Sequence, residues 1–240
     1  MCNVGNGCLR YQDKHLVNLP CKNVQCDEIW AFCYSKQKNV PEKYQGIFGY
    51  GDIWTWTAIC SDTKLVPCWA VGNRDAETAK IFIDDLASRL SSKVRLQLST
   101  DGHKPYLEAV ESAFGNNIDY AMLVKIYGAS EINDKGFSPS RCIGAEKRII
   151  TGKPNLDLTS TSYVERQNLT MRMNMRRFTR LTNGFSKKVE NMMHAISLHF
   201  MYYNFVRIHQ TLRVTPAMEA GITDRLWTLE DIAKLADESI

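Results

Sequence analysis

The chain has 240 residues, 44% of them hydrophobic and 23% charged, and a formal net charge of +4. That length and apolar content supply a sizeable core in one domain or at most two, and exclude a disordered or fibrous chain. The opening MCNVGNGCLRYQDK lacks the basic start and continuous apolar core of a signal peptide, and ISLHFMYYNFV at 196–206 is too short and polar to span a bilayer, so a cytosolic protein with no membrane contact is expected.

Residues 1–21 show no clear periodicity and read as an irregular lead-in to a domain spanning 22–222. CDEIWAFCYS (26–35), DIWTWTAICSD (52–62) and TKLVPCWAVG (63–72) are rich in aromatic and branched residues and bounded by turn formers, which predicts three strands. The tight connection Ser61-Asp62-Thr63-Lys64 pairs the second and third antiparallel. Helical spacing of Ala79, Ile83, Leu86 and Leu90 predicts a helix from about Asp75. A strand, VRLQLST, then runs into Asp101-Gly102-His103, followed by a helix (YLEAVESAF) and a strand (YAMLVKIYG). A loop-rich insertion at 129–159 holds a possible hairpin around RCIGAEKRIITG. A helix carrying Glu165, a longer one from Ser186 to about His209, and a helical tail at 223–240 complete the chain. Three meandering strands followed by alternating helices and strands predict an α/β fold with a mixed sheet flanked by helices.

Eight scattered cysteines in a chain of this length are expected as reduced thiols. Cys2, Cys8, Cys21 and Cys26 could hold zinc only with unusual spacings and without a C-x-x-C pair.

Charge is unevenly spread. From Tyr163 to Arg213 nine Lys and Arg face two Glu, a local +7 that leaves −3 for the remainder. A basic block on a mildly acidic body is the footprint of a polyanion partner, most often nucleic acid, although a solvated helix face has the same composition. Glu165 stands almost alone in that block. Ser162 three residues before it has the spacing of a capping box, and an acidic residue suits the positive end of a helix. A metal-binding role is the alternative. Asp27 in the first strand, Asp101 at the end of the fourth and Glu165 at a helix start lie 74 and 64 residues apart, so only the fold can bring them together. Carboxylates converge chiefly for divalent metals, and two such ions serve phosphodiester chemistry.

Four segments in order, CDEIWAFCYSKQKNVPE, STDGHKPYLEAV, TSYVERQNLTMRMNMRRFTRLTNGFSKKVEN and HFMYYNFVRIHQTLRVTPAMEAG, resemble the catalytic domain of insertion-sequence-one family transposases. The resemblance covers roughly 22–222. It implies a DDE transposase with a ribonuclease H-like fold, Asp27, Asp101 and Glu165 as its catalytic and metal-binding triad, and two magnesium or manganese ions. It implies DNA as substrate, nucleoid association and assembly of several copies on DNA. Arg172, seven positions after Glu165, matches a basic residue common in DDE enzymes and lies along one helical stripe with Asn168. Arg172, Arg176, Arg180, Lys187, Lys188, Asn168 and His103 are the expected DNA contacts. Val164, Met171, Met175 and Phe178 form the neighbouring apolar stripe and read as core.

Glu28 alternates with Asp27 across the strand, so only one of the two is expected at the site. Asp52 reads equally as a turn cap, while His199 and His209 read as packing or DNA-facing residues. The family's separate DNA-recognition region, with a zinc element and a helix-turn-helix, has no counterpart in the 26 residues before Asp27. Recognition of DNA ends is therefore expected in another polypeptide, or lost by truncation. A nuclease that cuts without joining and a non-catalytic DNA-binding remnant are the alternatives.

Overall fold

The computed structural model describes residues 2–128, 142–179 and 181–237. Its centre is a six-stranded sheet of β1 (Asn23–Cys33), β2 (Gly51–Cys60), β3 (Trp69–Gly72), β4 (Leu96–Asp101), β5 (Ile118–Tyr127) and β6 (Cys142–Thr151), in the order β3-β2-β1-β4-β5-β6. β1, β2 and β3 meander antiparallel, β4 and β5 run parallel to β1, and β6 returns antiparallel to β5. Helices flank this mixed sheet, as the element order predicts, and the arrangement is consistent with the ribonuclease H-like fold that the resemblance implies.

Strand alternation divides the core. Val24 and Cys26 of β1 point into a cluster completed by α2 (Ala76–Arg89) and α3 (Pro105–Phe114), whereas Ile29, Ala31 and Cys33 point toward α4 (Ser162–Asn174) and α5 (Val189–Met201). Val164, Met171 and Phe178 are buried in the second cluster with Met175 packed beside them, as their helical spacing predicts. α5 continues into a π-helical turn, Tyr202–Val206.

Four expectations need correction. Residues 2–15 form a helix, α1, rather than an irregular lead-in. Its glycines weaken the local helix signal but permit close packing: a Cβ on Gly5 would lie 2.6 Å from His194 Cβ, and one on Gly7 would lie 2.1 Å from the Leu235 carbonyl oxygen. Trp227 and Ile232, the latter in α7 (Leu229–Lys234), join the same core, so both tails pack as part of the domain. The third strand begins at Trp69 instead of Thr63. Pro67 has no amide hydrogen, and the Asn204 side chain takes over the Val66 backbone, accepting from its N–H at 3.0 Å and donating to its carbonyl at 2.9 Å. The segment around RCIGAEKRIITG is one strand, β6, paired with β5 rather than folded on itself, because β5 offers it a free edge. Residues 129–141 of the expected insertion lie outside the described residues. Among the described residues no helix is long and apolar enough to cross a membrane.

Candidate active site

Parallel pairing of β1 with β4 sets Cys26 beside Thr100, which carries Asp27 and Asp101 to neighbouring positions at the end of β4. α4 crosses the α4-facing side of β1 at this point, and its placement comes from an unexpected residue. Gln25, two positions before Asp27 and therefore on the same face, accepts from the Tyr163 and Val164 amides at 2.8 and 3.2 Å through Oε1. These are free N–H groups of the first turn of α4, so a strand side chain caps the helix. The capping box expected from Ser162 and Glu165 does not form: Thr161 is the N-cap residue, and Ser162 already belongs to the helix. No local pattern marks Gln25, since its partners lie 138 and 139 residues away. Its only sequence signal is the two-residue spacing to Asp27.

Glu165 is thus released from capping. Its Oε1 accepts from Lys125 Nζ at 2.6 Å and from Thr161 Oγ1 at 2.5 Å, and it faces a cleft of about 670 Å³ shared with Asp27 and Asp101. Arg74, His103, Lys104 and Lys125 also line that cleft. Asn168 donates to Asp27 Oδ2 at 2.9 Å, and the His103 amide donates to Asp101 Oδ1 at 2.9 Å. The three carboxylates singled out in the sequence therefore face one space.

Glu28 corrects the expectation that only one of the adjacent acids can reach the site. Its side chain leaves the opposite face of β1, yet Asp27, Glu28 and Asp101 offer oxygens within 4.8 Å of one another. The reason is that β4 ends at Asp101, so a carboxylate there meets side chains coming round both faces of the sheet. Arg74 spans this second side, with Nε 3.1 Å from Glu28 Oε2 and a terminal nitrogen 3.6 Å from Asp101 Oδ2. Burial, then the charge of Asp101, raises Asp27 to about 6; the same two causes, in that order, raise Glu28 to about 7. Such a cluster is short of positive charge. Hard oxygen donors at this spacing suit a divalent cation, and Asp27, Glu28 and Asp101 fit that requirement, with Glu165 lining the same cleft but paired with Lys125.

The expected DNA contacts fare unevenly. His103 lines the cleft, its ring packed near Trp56 and Tyr106, with burial and Arg74 lowering its proton affinity. Asn168 is 5% exposed and committed to Asp27, so it is a positioning residue instead of a contact. Arg172 is partly buried two turns further along α4 and is not among the residues that line the cleft. Arg176 lines a separate groove of about 770 Å³ with Arg177 and His199, whose walls carry no carboxylate. That groove is the larger concavity, but the chemistry-bearing acids are in the other. Lys187 and Lys188 follow Ser186, which bridges to Cys33, six residues beyond Asp27 along β1 and hence about 20 Å away. Arg180 lies outside the described residues. Asp52 exchanges hydrogen bonds with Gln37, in keeping with a loop-capping role, and His199 is buried with its proton affinity lowered to about 4 by desolvation and then Arg207. All eight cysteines are free thiols.

No protein-family model matches the chain, and no curated protein matches it. Solved structures similar to it include a piggyBac transposase synaptic complex with hairpin DNA (TM-score 0.37, 10% identity, 92% of this chain and 52% of that one). The Mos1 strand transfer complex gives a TM-score of 0.28 at 13% identity over 83% of this chain and 59% of that one. Endonuclease V from Bacillus subtilis gives 0.26 at 15% identity over 80% and 91%. The chain spans about half the length of the first of these (52%), and at such TM-scores none of the likenesses carries a functional argument.

Proposed function

We propose that the protein is a DDE-type DNA transposase that cuts and rejoins phosphodiester bonds, with two magnesium or manganese ions held by Asp27, Asp101 and Glu165. The observation that supports this reading most is the meeting of those three carboxylates, from β1, the end of β4 and the first turn of α4, around one cleft. They are also the residues to which the four-segment resemblance points. Such ions, when bound, activate a hydroxyl nucleophile and stabilise the leaving oxygen at a phosphodiester.

The protein's own side chains supply the framework. Asn168 and the His103 amide fix the orientation of Asp27 and Asp101, and the second oxygen of Asp101 lies 3.6 Å from Arg74. Lys125 and Thr161 hold Glu165 from one oxygen in the same way. Arg74, Lys104 and Lys125 draw a phosphate backbone toward the carboxylates, where a fixed array of charges loses no free energy to reorganisation. DNA is the substrate in this reading, and several copies assemble on it.

One observation favours a second reading. The tightest acidic group is Asp27, Glu28 and Asp101, while Glu165 is paired with Lys125. A metal site confined to that group would suffice to activate water for hydrolysis, the reaction of a nuclease that cuts without joining. A magnesium-dependent assay on a duplex with a free 3′ hydroxyl separates the readings: the transposase yields joined products and the nuclease only cut ones. Asp101→Asn should abolish both products while leaving DNA binding nearly intact. Absence of any product from the unaltered protein would leave only a DNA-binding remnant.

A further inference from the structure

The opposite flank of α4 carries a pocket of about 350 Å³, walled by the turn after β2, the outer side of α4 and the segment after the π-helical turn. Lys64, Arg166, Arg207 and His209 enter it from those three stretches of chain, and among the described residues no carboxylate lines it. Among the described residues Lys64, Arg166 and Arg207 form no ion pair. Gathering cations without counter-charge costs electrostatic free energy, so the frame must hold them there. The frame is visible. Lys64 has a left-handed φ of 60°, stands 4.0 Å over the Tyr163 ring, donates to the Ser61 carbonyl, and accepts at its own carbonyl from the Tyr203 hydroxyl at 3.0 Å. His209 is pinned through its backbone, its N–H to Val214 at 2.9 Å and its carbonyl to Arg213 at 2.8 Å. The Nδ1 atom of His209 is buried with no hydrogen-bond partner. Burial first, and then the charges of Lys64 and Arg207, lower the proton affinity of that ring.

We propose that this pocket binds a backbone phosphate of a nucleic-acid strand. Arg166 and Arg207 present planar forks suited to phosphate oxygens, and His209 lines the same pocket. Two features select a polymer over a free anion. Arg166 follows Glu165 directly, so the pocket and the carboxylate cleft occupy two flanks of one helical turn. Arg207 also lines the groove that holds Arg176 and Arg177, giving a strand that leaves the pocket further cations to follow. The identity of the strand as DNA rests on the reading of the cleft as DNA-acting; phosphate capture by the pocket needs neither metal nor carboxylates.

The test is fluorescence anisotropy of labelled duplex with the full chain in chelator, which removes any metal-dependent contribution of the cleft. The Arg166→Gln/Arg207→Gln double variant is compared with a charge-matched Lys14→Gln/Lys93→Gln control, whose residues are exposed and outside the pocket. The expected result is at least a tenfold loss of affinity and a fall of about 1.8 in the slope of log affinity against log salt, two phosphates' worth, for the pocket variant alone. An unchanged affinity, or an equal loss in the control, overturns the proposal. Calorimetric titration with inorganic phosphate distinguishes a small-anion site: phosphate binding that depends on the two arginines, with strand affinity unaltered, also overturns it, as does equal displacement by polyglutamate. Should thermal melts show the double variant unfolded, His209→Gln takes its place, with a three- to tenfold loss expected and no loss overturning the proposal. Because no cleavage is measured, an inactive cleft and an empty pocket give different results.

Discussion

Asp27 stands where a negative charge is costly, half-buried and beside Asp101. With Asp27 raised to about 6 and Glu28 to about 7, the folded chain binds protons more tightly than the unfolded chain, whose carboxyls titrate near 4. Stability of the metal-free protein should therefore be highest below about pH 4 as far as these two groups decide it, and should fall as pH rises through 6 and 7. Asp27→Asn should raise the melting temperature in chelator at pH 8, by about 1–3 kcal/mol of stability, with the gain vanishing near pH 4. Thermal melts at the two pH values check this, and a larger gain at low pH would contradict the sign. Glu165 makes the complementary case. Since Gln25 and not Glu165 caps α4, Glu165→Gln should alter stability by less than about 1 kcal/mol, while the proposed metal-binding role of Glu165 requires at least a 100-fold fall in strand transfer. Melts and joined-product yields on the same preparation decide it.

At the scale of elements, the contact between β1 and α4 is the one on which the site depends. Gln25→Ala strands two amides of the buried helix start, a cost of about 1–3 kcal/mol, and loosens the helix that carries Glu165 and Asn168. Stability and magnesium affinity should fall together, whereas a change of equal thermal cost elsewhere should leave magnesium affinity alone. Gly7→Ala supplies that comparison. A methyl group there would meet the Leu235 carbonyl, so overpacking should cost about 1–3 kcal/mol, read by melting, with unchanged turnover in the fraction still folded. Strands β1, β2, β4 and β5 and helices α2 and α3 were legible because their apolar periods match their geometry and their ends carry turn or cap residues such as Asp75. α1 was not, because what holds it is close approach to α5 and α7, and Gly5 and Gly7 carry no apolar signal of that. The Ser162 spacing could not decide between the two readings of Glu165 for a related reason: a local capping pattern cannot reveal a better acceptor 138 residues away.

For the whole molecule, the three carboxylates could be picked out through resemblance, yet their convergence depends on strand order, which no local pattern encodes. The basic block was legible as charge and illegible as surface. Its cations divide among the interior side of α4, two separate concavities and the far end of β1, because helical period gives direction about the helix axis without saying which flank the sheet covers. Asn204 ties this architecture across time as well as space. Its side chain satisfies Val66 from 138 residues downstream, and the Tyr203 hydroxyl does the same for Lys64. At a ribosomal rate of about 5–20 residues per second, the turn between β2 and β3 waits roughly 7–28 s after its own synthesis before these partners emerge. During that interval the turn's local bonds, Lys64 N–H to Cys60 and Cys60 N–H to Leu65, can already form while Val66 and the Lys64 carbonyl are left to water, so the step that closes this side of the domain waits for Tyr203 and Asn204.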